Sequence, residues 1–206
     1  MSIATSPSLT LPVFRPMIDV LLPRPSGRLS GLMADSALII TGTLVVAASA
    51  RVVIPLPFTP VPITGQTFGV LLVGMLLGAR RGALSLLLYL LEGALNLPVY
   101  QGGNGGIIRL LGPTAGYLWS YPFAAFLMGL LVERGWDRTP LRAAAAMLLG
   151  GIVILSMGTL WLGCLTGDLR SAILQGCLPF LPGDIVKTAL AATLLPGGWK
   201  LIKVKK

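Results

Sequence analysis

The chain has no histidine and only two cysteines in its 206 residues. Without histidine, Ser-His and Cys-His catalysis and most His-dependent metal sites are excluded. The two cysteines, Cys164 and Cys177, are read as small apolar residues or, if their loop faces outside, as a bridged pair. Charge is scarce: 11% of residues are charged, with only seven acidic ones, against about 25% charged in soluble domains. No clustered metal ligands, nucleophile–base pair or G-x-x-x-x-G-K-[ST] phosphate loop is present, so no catalytic residue, metal or cofactor is expected. The first 30 residues lack an unbroken apolar core before a small-residue cleavage site. They carry Pro7, Pro12, Pro16, Pro23 and Pro25 with Arg15, Arg24 and Arg28, and read as a partly disordered cytoplasmic extension.

What is there is hydrophobic. Apolar residues make up 54% of the chain and the mean hydropathy is +0.85. At about 20 residues per span plus loops, the length suits about six helices in one domain. An all-α, polytopic membrane protein follows, with a membrane domain over 32–196 between an extension, 1–31, and a basic tail, 197–206. Spans are expected at 32–54, 67–79, 82–96, 115–132, 141–162 and 181–195. The second and third are short, so the proline-rich stretch from Pro55 to Gln66 and the glycine-rich stretch from Gln101 to Gly106 must pack onto protein. With the amino terminus inside, twelve of the sixteen basic residues fall on the cytoplasmic side and Arg51, Arg109 and Arg170 on the other. This bias puts both termini in the cytoplasm and assigns the net charge of +9 to membrane topology rather than to nucleic acid.

Asp184 and Lys187 stand out within the last span. Each ionisable group costs roughly 2.5–3.5 kcal/mol to insert, and a spacing of three puts both on one helical face. They are read as a substrate or ion site, or as a mutually neutralising pair that locks helix packing. Thr43, Ala47 and Ala50 form a side of small residues on the first span, where another helix could approach.

The run Pro57-Phe-Thr-Pro-Val-Pro-Ile-Thr-Gly-Gln66-Thr-Phe, then Gly74-Met-Leu-Leu-Gly-Ala-Arg-Arg-Gly82 and Leu97-Pro-Val-Tyr100, resembles one family. Gly105-Gly-Ile-Ile-Arg109-Leu-Leu-Gly-Pro-Thr-Ala-Gly-Tyr117 and Pro182-Gly-Asp184-Ile-Val-Lys187 extend the match over about 32–196. The family is the biotin-specific substrate-binding subunits of energy-coupling-factor transporters. The resemblance implies a bacterial plasma-membrane protein that captures biotin from outside. Its partners would be a transmembrane coupling subunit and two cytoplasmic ATPase subunits. It also implies that Asp184 and Lys187 stand in the pocket. Asp184 suits the ureido N–H groups, and Lys187 either donates to the ureido oxygen or balances Asp184. Arg109 either meets the valerate carboxylate or contacts a headgroup or a backbone carbonyl. Asn96, Gln66, Tyr100 and Tyr117 either bond the ligand or hold loop backbone. The family docks its coupling subunit on a small-residue face of the first span, here centred on Ala47 with Thr43 and Ala50. Asn104 in the glycine loop and the long amino-terminal segment depart from the expected pattern. A subunit for another small vitamin, and a membrane-embedded enzyme, are the competing readings.

Overall fold

The computed structural model describes residues 14–23 and 25–204. The remainder of the expected extension, with Pro7, Pro12 and Arg24, and the terminal Lys205 and Lys206 lie outside the described residues. Eight helices follow one another: α1 (Met17–Leu21), α2 (Arg28–Ser49), α3 (Gln66–Leu77), α4 (Ala79–Ala94), α5 (Ala115–Val132), α6 (Pro140–Thr166), α7 (Leu169–Gly176) and α8 (Leu181–Val204). Each expected span corresponds to a helix. Four stretches are long and apolar enough to cross a membrane: α2, α5, α6 and the segment Leu169–Ile202 that includes α8. Helix α3, at 12 residues, and α4, at 16, are short.

Local chemistry sets the breaks. Gly78, at φ +84°, takes a conformation closed to other residues and folds α4 back from α3. Pro140 occupies the first turn of α6, where its missing N–H costs nothing, and left-handed Gly167 ends that helix. Between α2 and α3 the proline-rich stretch is not helical. It forms a ribbon of β1 (Val53–Ile54) and β2 (Ile63–Thr64), pairing Val53 with Thr64 and Ile54 with Ile63. This small sheet is the departure from an all-α chain. Helix α7 and the extension of α8 to Val204 are likewise longer in helix than hydropathy suggests, since the spans were bounded by apolar runs and not by caps.

The core forms where α5 packs against α3, α4 and α6. Close approach depends on small residues. Gly74 faces Ala125, and a side chain on Gly129 would collide with the backbone of Gly78 and Ala79. Polar side chains collect at the two ends of the bundle. At one end lie the amino end of α2, the α3–α4 corner, the α5–α6 turn and the carboxyl end of α8. There Arg81 pairs with Asp19 at 2.6 Å and Asp35 at 2.7 Å, and Glu133 accepts from the Ala79 N–H at 3.0 Å. Residues 14–21, counted in the sequence as extension, pack on this end. At the opposite end are Arg51, the glycine-rich loop and the start of α8, with the Gly102 N–H donating to Ala50 O at 3.0 Å.

Gly129→Val is expected to cost about 1–3 kcal/mol through overpacking and to lower the melting temperature in detergent. Gly183→Ala, where an added methyl meets nothing within 4 Å, serves as the neutral control. Equal melting of the two variants would mean that α5 does not seat against the α3–α4 corner at Gly129.

Candidate functional site

A cavity of about 280 Å³ opens at the end of the bundle away from the Arg81 cluster. It lies near the lower bound of roughly 300–1,000 Å³ for small-molecule sites. Its walls come from the proline-rich loop, α3, the glycine-rich loop, α5, α6, the turn before α8 and α8 itself. Most of the lining is apolar, with Leu71, Leu118, Met147, Ile154 and Phe180 among the contributors.

The charged groups in that lining are Arg109, Asp184 and Lys187. Asp184 sits in the first turn of α8, where the helix dipole favours a carboxylate. Its Oδ1 lies 3.1 Å from Lys187 Nζ, and both side chains are largely buried, at 21% and 16% exposure. Lys187 Nζ also donates to Thr67 Oγ1 at 2.7 Å, joining α8 to α3 across the cavity. Arg109 projects from the 3-10 turn Ile107–Leu110, and no described side chain pairs with it. One carboxylate against two cations leaves the lining with a formal charge of +1. A second hollow of about 310 Å³ shares Gln101, Arg109 and Thr114 with the first, so Arg109 stands between them.

Gln66, Tyr100 and Tyr117 also line the cavity, each with a hydrogen bond to protein. Gln66 Nε2 donates to Tyr89 OH at 2.6 Å, and Tyr89 OH donates to Val99 O at 2.8 Å. Tyr100 OH donates to Leu90 O at 2.7 Å, which seats the loop on α4. Burial pushes the Tyr100 phenol up to about 12, so it stays a neutral donor. Tyr117 OH donates to Gly176 O at 2.5 Å, and its ring lies 6.1 Å from that of Phe180.

Asn96 is not in the lining. It follows α4 at φ +68°, a left-handed conformation that asparagine tolerates better than most residues. Glu92 is also outside the lining and accepts from Thr43 Oγ1 at 3.1 Å. On α2 the small-residue side, the expected docking face, is turned largely inward. Thr43 and Ala50 are fully buried and Ala47 packs partly on the core, because this side is turned toward the rest of the chain. The outward side carries Ala37, Thr41, Leu44 and Ala48. Sequence reasoning passed over Thr67, Gln101, Thr114 and Phe180. Thr67 adjoins Gln66 in a quoted motif, but only the fold shows that it faces Lys187.

The model of the BioY family matches residues 23–204. A biotin transporter BioY of Rhizobium etli is 40% identical over 158 residues, covering 73% of this chain and 84% of that protein. A biotin transporter BioY of Rhodobacter capsulatus is 43% identical over 159 residues, covering 71% and 83%. A crystal structure of the S-component for biotin from an ECF-type ABC transporter superposes with a TM-score of 0.71 at 28% identity. It covers 82% of this chain and 92% of the other.

Proposed function

This chain belongs to the BioY family, and from that premise we propose that it is the integral membrane subunit that captures biotin for uptake. It binds and hands over its substrate without chemical conversion. The vitamin enters from outside and is delivered inward with a transmembrane coupling subunit and two ATPase subunits, in keeping with the energy-coupling-factor S-component that shares the fold. We assign six spans with both termini in the cytoplasm, in a bacterial plasma membrane. The Arg81 cluster and the basic residues around it then face inward and the cavity faces out.

The observation that carries the ligand assignment is the cavity's charge. Asp184 and Lys187 neutralise one another at 3.1 Å, and Arg109, which also lines the cavity, remains without a counter-ion. One anionic group on an otherwise neutral ligand completes the set. Biotin has that form: a carboxylate at the end of an apolar chain, and a ureido ring with two N–H donors and one carbonyl acceptor. Asp184 accepts from the ureido N–H, Lys187 donates to the ureido oxygen, and Arg109 receives the carboxylate. Gln66, Tyr100 and Tyr117 hold the surrounding backbone and present polar edges. Asn96 acts through the loop it caps. The apolar lining takes the bicycle and the chain.

Docking of the coupling subunit is assigned to the outward side of α2. Ala37, Thr41 and Ala48 there offer the close approach that small residues allow, and Ala47 lies at the margin.

Asp184→Asn is expected to weaken biotin binding about ten- to a hundredfold, the scale of one charge-assisted hydrogen bond in a dry site. Equilibrium binding of labelled biotin to the purified chain in detergent measures this, and an unchanged affinity would assign the pair to packing. Ala48→Trp is expected to prevent co-purification with the coupling subunit while biotin binding stays at the wild-type level. An intact complex carrying that tryptophan would move the docking side elsewhere.

A further inference from the structure

Helix α8 carries Asp184 and Lys187, yet it is weakly tied to the rest of the chain. It packs along α6, and Leu181, Ile185, Val186, Leu190, Leu194 and Leu201 remain exposed. Its inward stripe is Ala191, Leu195 and Trp199, all nearly fully buried. These residues follow Lys187 at four-residue intervals along a stripe that winds around the helix, and Trp199 lies about 18 Å from Lys187 along the axis. Among the described residues, two side-chain hydrogen bonds join α8 to other elements. One is Lys187 Nζ to Thr67 Oγ1 at 2.7 Å, at the cavity. The other is Trp199 Nε1 to Asp137 Oδ2 at 2.5 Å, at the far end.

The far end is built more elaborately than a helix terminus requires. Asp137 is fully buried in the α5–α6 turn, and Arg138 Nε lies 3.3 Å from its Oδ1. The Arg138 guanidinium stands 3.3 Å from the centroid of the Trp199 ring and 5.4 Å from that of Phe14. Phe14 belongs to the segment that runs across this end of the bundle. The Phe14 N–H donates to Glu133 O at 2.8 Å, and Arg138 Nη2 donates to Arg15 O at 3.2 Å. Pro16 covers Gly78, Met17 covers Gly198, and Asp19 pairs with Arg81 at 2.6 Å. This segment therefore touches the α3–α4 corner, α4, the α5–α6 turn and α8. It precedes residue 23, where the match to the family begins. Between Lys187 and Trp199 lies Pro196-Gly197-Gly198. The proline leaves the Ala192 carbonyl without its helical N–H, yet α8 runs unbroken from Leu181 to Val204.

We propose that residues 14–21 form a strap that, with Asp137 and Arg138, pins the last turns of α8 and so positions the Asp184–Lys187 pair at the other end of the helix. The inference rests on the assignment of that pair to the ligand. With Trp199 and Gly198 held, α8, as one continuous helix, stays against α6 along its length and keeps Lys187 within reach of Thr67. With them released, the helix swings outward and the cavity wall loosens. Residues 14–21 are thus positioning residues: they reach the ligand through α8 and do not touch it.

The test uses the full-length chain with Trp199→Phe, which keeps a ring and removes the N–H, and with Phe14→Ala. Leu201→Ala, an exposed residue of the same turn, is the control. Hydrogen exchange across 181–195 and the rate of biotin release are read together with melting temperature. Both variants are expected to raise exchange through 181–195 and to speed release by about three- to tenfold, the scale of one lost hydrogen bond or cation–π contact. The control should alter neither. Faster exchange confined to 196–204, or a lower melting temperature with an unchanged release rate, overturns the strap's positioning role. Should the wild-type chain fail to hold biotin, the capture assignment falls and exchange alone decides. Spread into 181–195 then upholds the strap, and confinement to 196–204 removes it.

Discussion

Hydrocarbon offers no partner to a backbone N–H or C=O, so every non-helical stretch at membrane depth must find its partners inside the protein. Helices α3 and α4, at 12 and 16 residues, reach about 18–24 Å, short of the roughly 30 Å core. Their outer ends are continued by irregular chain, and that chain is paired closely. The β1–β2 ribbon satisfies the base of the proline-rich loop. In the glycine-rich loop, the Gly106 N–H donates to Gly93 O at 2.7 Å and the Tyr100 N–H to Asn104 O at 2.9 Å. Tyrosine side chains close most of what remains, Tyr89 onto Val99 O and Tyr100 onto Leu90 O. The two short helices thereby create both the space for a cavity and the rigid roof over it.

The same solvent argument governs the charges. An isolated ammonium or carboxylate in this setting would shift to its neutral form or draw in water. Asp184 and Lys187 avoid this by pairing, and the Thr67 hydroxyl takes a further proton of the ammonium. The pair is nevertheless incompletely satisfied, since a carboxylate accepts several hydrogen bonds. A ligand that donates and accepts at adjacent atoms completes both partners without separating them.

Membrane class and helix positions were legible from residue types, and most of the cavity from the motifs that carry the family resemblance. Span 115–132 coincides with α5, where Gly112-Pro113-Thr114 and a charged turn supply unambiguous ends. Asp184, Lys187, Arg109, Gln66, Tyr100 and Tyr117 all meet in one lining, although Gln66, Tyr100 and Tyr117 also bond to protein there. What escaped was rotational and long-range. Helix α2 has small residues on both sides, so composition could not say that Thr43 and Ala50 turn inward while Ala37 and Ala48 turn out. Asn96 looked like a polar contact, whereas its left-handed backbone explains the residue type without a ligand. The packing of residues 14–21 depends on Arg138 and Gly198, more than a hundred positions away, and no local pattern announces it.

A carrier must also give its ligand up, which requires a wall that opens. Helix α5 is buried along most of its length, while the stretch that includes α8 is mostly exposed. The cavity is therefore bounded by a fixed wall, comprising α3, α5 and the loops, and by one wall held mainly through α6. Charged groups stand on both: Arg109 on the fixed side, Asp184 and Lys187 on the other. A ligand that spans the two joins the walls together, so its binding energy stabilises the closed arrangement, and opening must break contacts at both ends of the molecule. On the proposed assignment, a shorter ligand carrying only the ureido ring or only the carboxylate satisfies one wall and leaves the other free to move. Discrimination against fragments then follows from where the charges are placed, without any group devoted to rejecting them.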